Sequence, residues 1–427
     1  MISMDKKEYV MNLGQFLKFA NYVSSGGEAK HLIHSFEITV NGEEDNRRGR
    51  KLYSGDEVII DGDVYNVALT SINLLNFRNI DTFSASFSPH LNIFVGENGQ
   101  GKTNILEALV YLSSGRSFRV NQDSILIQHE KEHAKIEANL DNDTSLSVVL
   151  SNQGKYMIAN QQNIAKLSDF IGLCNVVLFH PDDIQFYTQA PRKRRRDIDY
   201  ELGKSTKTYL DNLSRINQLI QNRNAFLKQN KQDEIFLETM DQQIAELSEY
   251  IMIKRLEFTK FISHNTEKYY QIFSDSKDTI TFDYDACIDL NTDNYKSMLI
   301  KKMKDHRQRD YDLKMTNIGI HREDFIFKIN KVEVVHMMSQ GQRRLLMIAY
   351  KLAVIDWFIH HNQETPIFCM DDLFSELDAS KRKMVLDHLN PKLQIFITTT
   401  DLNFIETDKE KTIFEIEKGK ARHVTYE

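Results

Sequence analysis

One eight-residue segment constrains this chain more than any other feature. Residues 96–103 read Gly-Glu-Asn-Gly-Gln-Gly-Lys-Thr and fit the pattern G-x-x-x-x-G-K-[ST] at every fixed position. An apolar run precedes the segment, and residues 105–112 carry their apolar side chains at helical spacing. Glycines let such a loop curl so that backbone N–H groups point inward, at the positive end of the following helix. The sequence therefore predicts a phosphate-binding loop between a strand and a helix, and disfavours a plain surface glycine turn.

The residue types in this loop indicate ATP and Mg²⁺ as ligands. Lys102 supplies a positive charge to the β- and γ-phosphates, and the Thr103 hydroxyl is placed to bind Mg²⁺. The residues assigned to the nucleotide are Gly96, Glu97, Asn98, Gly99, Gln100, Gly101, Lys102, Thr103 and Asn104.

A second segment supplies the acids that this chemistry needs. Residues 366–372 form an apolar run that ends in Asp371 and Asp372. In P-loop enzymes an acid at such a strand tip holds Mg²⁺ through water, and a second acid can polarise the attacking water. We therefore assign Asp371, with Thr103, to the metal and Asp372 to catalysis. Taken alone, the two acids would also suit a helix N-cap.

A third segment, Ser-Gln-Gly-Gln-Arg at 339–343, opens the helix that precedes the acidic strand. A serine, a glycine and free helix N–H groups form an anion site. The chain already covers its nucleotide with its own P-loop, so we expect this site to cap the γ-phosphate of a partner chain's ATP. Alternatively, it is a plain helix start. The predicted catalytic residues are Lys102, Asp371, Asp372, Ser339 and Gly341.

Composition narrows the class of protein further. The chain has 427 residues, and 54 Lys+Arg against 61 Asp+Glu give a net charge of −7. This balance excludes a histone-like protein that binds nucleic acid through bulk charge, although local basic patches remain possible. The three cysteines show no metal-ligand spacing, and no apolar run reaches the length of a membrane span. We expect a cytoplasmic protein without a membrane partner.

Hydrophobic periodicity divides the chain into regions of different character. Residues 1–69 predict a small module of two helices (13–23 and about 28–34) followed by a β ribbon with a hairpin at Asp61-Gly62. Residues 133–164 predict an antiparallel β lobe, and residues 205–273 predict an antiparallel hairpin of two helices of about 25 residues each. Further on, the patterns predict a helix at 340–360, strands at 366–370 and 394–398, and a hairpin around Gly419.

Together these motifs resemble the ATPase heads of the ABC/SMC type, and more closely the RecF family. The segments that carry the resemblance are NFRN at 76–79, GENGQGKTNILEAL at 96–109, GRSFR at 115–119, HPDD at 180–183, PRKRRRDID at 191–199, HRED at 321–324, SQGQRR at 339–344, DDLFSELD at 371–378 and FITTT at 396–400. Residues 1–69 resemble the ribosomal-protein-S-four-type RNA-binding domain.

The resemblance implies an α/β fold: an ABC/SMC-type ATPase head at 70–200 and 311–427, an inserted α-helical lobe at 201–310, and a small α+β N-terminal domain at 1–69. It also implies an ATP-dependent homodimer that holds double-stranded DNA or single-strand/duplex junctions at gaps, works with recombination mediators and aids loading of RecA. Thr398–Thr400 stand where transporter ATPases have a switch histidine, which fits slow hydrolysis. The resemblance implies a weak, DNA-stimulated ATPase.

The densest basic run, Arg192, Lys193, Arg194, Arg195 and Arg196, is the predicted DNA contact. Five consecutive cations cannot all face one way on a helix, so two or three of them should touch DNA. The alternative is a solvated face that is partly paired with Asp197, Asp199 and Glu201.

In the N-terminal module, the resemblance makes Arg47, Arg48, Arg50 and Lys51 candidate RNA-phosphate contacts. Equally, this module suits a tether or a protein contact. Two other functions therefore stay open: an ATPase that acts on ribosomes or structured RNA through residues 1–69, and a transport ATPase subunit. The latter would normally need a switch histidine.

Overall fold

The computed structural model describes residues 9–13, 17, 33, 38–40, 43–44, 47, 49–53, 58–60, 65–66 and 68–426, apart from 143, 230–232, 292–293, 363, 406 and 408. The chain divides into two compact units, Met1–Tyr65 and Asn66–Glu427. None of the helices in the described part of the chain has the length and apolar character that crossing a bilayer requires.

The first unit contains short strands, which are β1 (Tyr9–Asn12), β2 (Ile38–Val40), β3 (Glu43–Glu44), β4 (Lys51–Tyr53), β5 (Val58–Ile60) and, at its end, β6 (Tyr65–Asn66). Strand β1 pairs antiparallel with β4, and β2 pairs antiparallel with β3 and β5. Of the two predicted helices, the structure describes Leu13 and Leu17 as helical and Ile33 as 3₁₀, all three buried. The remainder of both helices, and the hairpin predicted at Asp61-Gly62, lie outside the described residues.

The second unit is built on a six-stranded sheet in the order β14-β19-β20-β9-β21-β22. Every neighbouring pair is parallel except β21 and β22, which form the predicted hairpin around Gly419. The carboxyl ends of the parallel strands therefore meet at one edge of the sheet. The strands are β9 (Leu91–Val95), β14 (Val176–Phe179), β19 (Ile367–Asp371), β20 (Ile395–Thr399), β21 (Lys411–Glu417) and β22 (Lys420–Tyr426).

Both faces of this sheet are covered, which explains why its strands read as continuous apolar runs. Ile367 and Cys369 point to a core that contains helix α1 (Lys102–Ser114), whereas Phe368 and Met370 belong to a core shared with the helical lobe. The α1 core is closed by a second, antiparallel sheet in the order β13-β12-β11-β10-β7-β8. Its strands are β7 (Leu69–Phe77), β8 (Ile80–Ser86), β10 (His133–Leu140), β11 (Ser145–Ser151), β12 (Gly154–Ala159) and β13 (Gln162–Ile164).

The remaining helices, in chain order, are α2 (Leu167–Phe170), α3 (Pro191–Ser205), α4 (Lys207–Leu227), α5 (Glu234–Ser274), α6 (Tyr295–Asp305), α7 (Arg307–Leu313), α8 (Val334–Met337), α9 (Gln340–Asn362) and α10 (Ala379–Asp387). The prediction of two helices of about 25 residues each is wrong, because α4 has 21 residues and α5 has 41. Helix α5 continues because its buried side chains extend through Phe258, Ile262, Tyr270 and Phe273, where they pack in the same core as α9.

A three-stranded antiparallel sheet, in the order β15-β16-β17, lies beside the long helix. Strand β15 (Ile280–Asp285) comes from the segment predicted as the inserted lobe, and β16 (Asp324–Ile329) and β17 (Val332–Glu333) come from the segment predicted as the returning head. The boundary predicted at residue 310 therefore divides a region that is joined by a sheet. The short strand β18 (Glu364–Thr365) precedes β19.

Candidate nucleotide site and adjacent basic surface

The glycine-rich loop lies between β9 and α1, as the sequence pattern predicts. A Cβ atom on Gly96 would lie 2.4 Å from the carbonyl oxygen of Ile416 on the neighbouring strand β21, so only glycine fits there. Gly101 has φ +105° and stands at the N-terminus of α1, a left-handed conformation that glycine adopts without steric cost. The loop therefore turns sharply into the positive end of a helix.

Lys102 is the cation of this loop, and it is 7% exposed. Its ammonium group donates hydrogen bonds to the carbonyl oxygens of Gly96 (2.5 Å) and Glu97 (2.8 Å). Burial lowers the pKa of Lys102, and the nearby carboxylates Asp372 and Asp371 partly oppose that shift. The charge is thus held inside the loop, where phosphate oxygens would face the backbone N–H groups.

Asp371 ends β19 and joins three elements at the carboxyl edge of the sheet. Its Oδ1 atom accepts hydrogen bonds from the Thr103 hydroxyl (3.0 Å) and from the Thr398 hydroxyl at the end of β20 (2.7 Å). Asp371 is 4% exposed. The structure therefore brings together the two residues that the sequence assigns to the metal, and their hydroxyl and carboxylate oxygens are ligand types that Mg²⁺ prefers.

Asp372, the second acid, has a strained backbone. Its φ of +46° lies in the left-handed region, and its N–H donates to the Thr398 hydroxyl (2.9 Å). Burial raises the pKa of Asp372, and the neighbouring Asp371 raises it further. Within the described residues, its buried Oδ1 atom has no hydrogen-bond partner. A partly buried carboxyl group with a raised pKa and an unpartnered oxygen suits a group that orients and deprotonates water.

His180 lies at the same edge, although the sequence analysis gave it no role in the site. It follows β14, a parallel neighbour of β19, and its Nε2 atom lies 3.5 Å from Asp371 Oδ2. Its Nδ1 atom accepts the backbone N–H of Asp182 (3.2 Å), so the proton of the neutral ring is on Nε2 and faces Asp371. The signal available in the sequence was an apolar strand that ends in a polar residue, like the strand before Asp371.

Several polar residues outside the motif support the loop. The Asn79 amide donates to Gly99 O (3.3 Å) and accepts from Asn104 Nδ2 (2.7 Å), and Asn104 in turn accepts from the Arg119 guanidinium (2.8 Å). On the other side, the turn between β21 and β22 donates two backbone N–H groups to Gln100. These contacts connect Asn104 and Gln100, both assigned to the nucleotide, with segments distant in the sequence.

Glu107 on α1 binds the segments that flank the loop. It is fully buried and accepts hydrogen bonds from Arg78 (2.9 and 2.7 Å), Ser117 (2.5 Å) and Arg119 (3.3 Å). The NFRN and GRSFR segments are therefore held against the P-loop helix by one buried carboxylate.

The signature segment is arranged differently. Ser339 N–H donates to Gln342 Oε1 (2.9 Å) and Gln342 N–H donates to the Ser339 hydroxyl (3.3 Å), which is a capping box at the start of α9. Ser339 and Gly341 are exposed, and a Cβ atom on Gly341 would meet nothing within 4 Å. Among the contacts of the described residues, no hydrogen bond or ion pair joins either residue to the chain's own P-loop.

The basic run lies in the first two turns of α3, and its members face different ways. Arg194 makes a two-point ion pair with Asp324 (Nε to Oδ1, 2.8 Å), and Arg195 donates to the carbonyl oxygen of Glu323. Arg192, Lys193 and Arg196 are exposed. Two of the five residues predicted to contact DNA thus bind the β16 segment instead.

The acids proposed as alternative partners of the run are mostly paired elsewhere. Asp199 binds Arg255 (2.8 Å) and Glu201 binds Lys204 (2.7 Å). Asp197 accepts from the Gln189 amide (2.8 Å), and burial raises its pKa.

The HRED segment holds the helical lobe rather than the nucleotide. Glu323 is buried and accepts from Arg255 on α5 (2.8 Å), from the Tyr284 hydroxyl and from Cys287 N–H (3.1 Å). His321 and Arg322 both contact the carbonyl oxygen of Thr316 (3.0 and 3.3 Å). These contacts give the segment a structural role.

The cationic segment of the first unit is described in part. Arg47 and Lys51 are exposed, Arg50 is partly buried, and Arg48 lies outside the described residues. Arg50 N–H donates to Arg47 O (2.8 Å), and Arg50 O accepts from Leu13 N–H (2.8 Å).

The parallel sheet carries a glycine loop after β9 and, with one strand between, an acidic tip at the end of β19. Together with the serine-capped helix α9, these features define a P-loop ATPase head of the ABC/SMC type. Residues 68–422 match the family model described as RecF/RecN/SMC N terminal domain, and residues 4–68 match the S4 domain model. The DNA replication and repair protein RecF of Listeria monocytogenes serotype 4b (strain F2365) is 36% identical over 366 residues, which cover 83% of this chain and 99% of that protein. RecF of Streptococcus suis (strain 05ZYH33) is 37% identical and covers 83% and 98%. The chain belongs to the RecF family.

Solved structures agree with this assignment. The structure titled recombination mediator protein RecF-ATP in the RecFOR pathway superposes with a TM-score of 0.78 at 27% identity, covering 85% of this chain and 98% of that one. The Smc head domain of Pyrococcus furiosus reaches a TM-score of 0.51 at 17% identity, which shows a shared fold. The predicted α/β fold of an ABC/SMC-type ATPase head with an S4-like N-terminal domain is confirmed.

Proposed function

We propose that this chain is an ATP-dependent DNA-binding protein of replication and recombinational repair. Its ATP-bound homodimer would hold duplex DNA or single-strand/duplex junctions at gaps, and slow hydrolysis would release them. The observation that carries the proposal is the contact between Thr103 and Asp371 beside the P-loop, in a chain whose relatives are named DNA replication and repair proteins. Recombination mediators and RecA loading follow from the same relatives, one of which is titled as part of the RecFOR pathway.

In the proposed site, residues Gly96–Thr103 and Asn104 bind the ATP phosphates through backbone N–H groups and the Lys102 ammonium group. Thr103 and Asp371 would hold Mg²⁺, and their two oxygens leave most of the coordination to phosphate and water. The ion would supply charge neutralisation on the phosphates. Asp372 would orient the attacking water and take its proton, because its carboxyl group is partly buried and has an unpartnered oxygen within the described residues.

The signature residues Ser339 and Gly341 would act on the nucleotide of a second chain. Two observations support this: they are exposed at the N-terminus of α9, and they make no contact with their own P-loop among the described residues. Each active site would then be complete only in a dimer. This arrangement couples ATP binding to closure around DNA.

The DNA contact would involve Arg192, Lys193 and Arg196, the exposed members of the basic run. Phosphate contacts by three cations give affinity without base recognition, which suits recognition of DNA shape at gaps. Stimulation of the ATPase by DNA belongs to the same proposal.

The test is binding of a labelled gapped duplex to the full chain with ATP, with ADP and without nucleotide at one fixed salt concentration. We expect tight binding with ATP alone, and loss of that binding in Lys102→Ala. Equal affinity in all three nucleotide states would overturn the proposal.

The RNA interpretation has one supporting observation, the S4 domain match with its exposed Arg47 and Lys51. Competition of gapped DNA against ribosomal RNA, with Arg47→Gln and Lys51→Gln as variants, distinguishes the two. The DNA proposal expects gapped DNA to displace the RNA and both variants to bind DNA normally.

A further inference from the structure

A cavity of about 760 Å³ lies next to the nucleotide site within the second unit. Its walls are the segment after α1 (residues 116–121), strand β14, the 3₁₀ helix Pro181–Tyr187, and helices α3 and α9. The exposed Lys193 and Arg196, one turn apart on α3, line its rim. Its volume is that of typical small-molecule sites, and two of the three exposed cations proposed above to contact DNA line it.

Three of the five acids that line this cavity form ion pairs with lysines. Glu201 pairs with Lys204 (2.7 Å), Asp183 with Lys351 (3.1 Å) and Asp123 with Lys155 (3.1 Å). Asp197 has a raised pKa because of its burial. Asp182 is the most exposed of the five acids, with 72% of its side chain exposed beside His180.

The cations at the rim are not neutralised in this way. Among the ion pairs of the described residues, none includes Arg116, Lys193 or Arg196. The Arg116 guanidinium instead lies over the ring of Tyr200, 4.6 Å from its centroid. Phe118 and Phe186 also line the cavity. The cavity thus combines three cations that lie outside these ion pairs, of which Arg196 is near Asp197, with aromatic side chains. Cations and aromatic side chains are the two features that proteins use to bind single-stranded nucleic acid.

We propose that this cavity binds one phosphorylated nucleoside, supplied by the unpaired end of a DNA strand. The inference rests on the proposed DNA function and deepens it, because it names the feature of the DNA that is recognised. A duplex cannot enter a cavity of this size, whereas an unstacked nucleotide can place its phosphate among the cations and its base against the partly exposed ring of Phe118.

Two residues of the cavity wall also contact the ATPase site. His180 Nε2 lies 3.5 Å from Asp371 Oδ2, and the Arg119 guanidinium donates to Asn104 (2.8 Å). A strand end in the cavity would therefore touch groups that adjoin the acid and the loop. We expect DNA with an overhang to change the rate of ATP hydrolysis more than blunt DNA does.

The experiment measures ATP-dependent affinity of the full chain for a duplex with a short single-stranded overhang and for the same duplex with blunt ends. Lys193→Gln combined with Arg196→Gln should remove the preference for the overhang, by about tenfold for two solvent-exposed phosphate contacts. The matched control is Arg192→Gln, an exposed cation on the same helix that does not line the cavity. It should weaken both DNAs equally.

Free deoxyadenosine monophosphate is the second probe, because a mononucleotide carries the base, sugar and phosphate groups of a strand end. We expect it to compete with overhang DNA only at much higher concentration than the overhang itself. Strong binding of the mononucleotide without competition by overhang DNA would overturn the assignment to a strand end. So would equal losses on both DNAs in the double variant.

The conservative variant Lys193→Arg should retain the overhang preference, because it keeps the charge. Failure of this inference is distinguishable from failure of the proposed function. If blunt duplex binds with ATP but the cavity variants do not alter overhang preference, the inference fails alone. If no DNA binds with ATP, the proposed function fails.

Discussion

The hydroxyl of Thr103 donates a hydrogen bond to Asp371, a residue 268 positions later in the chain. The contact is possible because β9 and β19 are parallel strands separated only by β20, so that their carboxyl ends meet at one edge of the sheet. Of the chain between them, β14 returns to the same sheet and places His180 at this edge.

The first prediction concerns the P-loop cation. Lys102→Ala removes the ammonium group that lies inside the loop and should reduce ATP affinity by about two orders of magnitude or more, on the scale of a lost charge-assisted contact. Calorimetric titration with ATP measures the effect. Lys166→Ala, at an exposed lysine, is the matched control and should bind ATP normally. Normal ATP binding by the Lys102 variant would contradict the assigned site.

The second prediction separates ATP binding from dimer formation. Ser339→Ala should bind ATP with unchanged affinity but fail to form ATP-dependent dimers, because its hydroxyl serves the partner's nucleotide. Gly341→Gln should have the same effect. A Cβ atom at this position meets nothing within 4 Å in the single chain, whereas the glutamine side chain would obstruct a second chain. Analytical ultracentrifugation with and without ATP reports both. Normal dimers in the two variants would rule out completion of the site in trans.

Site residues that belong to one continuous motif could be predicted from the sequence, whereas contacts between segments far apart in the chain could not. Lys102 and Thr103 were predicted because the P-loop is a continuous motif, and Asp371 because an apolar strand ends at it. The contacts of His180 with Asp371 and of Asn79 with Gly99 were not, because they join segments that share no local pattern. Arg194 looked like a DNA contact in the sequence because its partner Asp324 is 130 residues away.

The same limit applies to the fold. Local periodicity was enough to predict strands β10, β11, β12, β19 and β20, the hairpin of β21 and β22, and helix α9, but not strand β14. It could not predict that α5 runs for 41 residues, because the later half of that helix is stabilised by packing against α9 rather than by a separate local signal. Nor could it predict that β15 pairs with β16 across the lobe boundary.

The third prediction follows from His321, whose pKa is lowered to about 4 by burial. Its folded pKa lies below the value of about 6.5 expected in the unfolded chain, so the unfolded state binds more protons between these values. Stability should therefore be complete above pH 6.5 or so and fall as the pH decreases toward 4, by on the order of 3 kcal/mol.

Denaturation by urea across this pH range measures the effect. His321→Gln keeps a donor for the Thr316 carbonyl but cannot be protonated, and its stability should fall less between pH 6.5 and 4. The buried Nδ1 atom of His321 has no partner in the described part of the chain, which is why a proton there is unfavourable. Parallel pH curves for the two proteins would contradict this account.

The fourth prediction concerns the buried arginine of α5. Arg255 is 1% exposed and binds both Asp199 and Glu323, which attach α3 and β16 to the long helix. Arg255→Met leaves two carboxylates without their cation and should lower the free energy of unfolding by about 3–5 kcal/mol. Arg215→Met, at an exposed position on α4, should change it by less than about 0.5 kcal/mol. Similar melting temperatures for the two variants would show that the buried cluster is dispensable.

The last prediction uses two neighbours in the basic run that the structure assigns to different tasks. Arg194→Gln breaks the ion pair with Asp324, so it should destabilise the protein while the salt dependence of DNA binding stays unchanged. Arg192→Gln removes an exposed charge, so it should leave the melting temperature unchanged and reduce the slope of log affinity against log salt by about one. Thermal denaturation and salt titrations of binding to gapped DNA measure the two effects separately. Only a cation that neutralises a phosphate changes the number of counterions released. A smaller salt slope for Arg194→Gln, with an unchanged slope for Arg192→Gln, would therefore mean that Arg194, and not Arg192, faces the DNA.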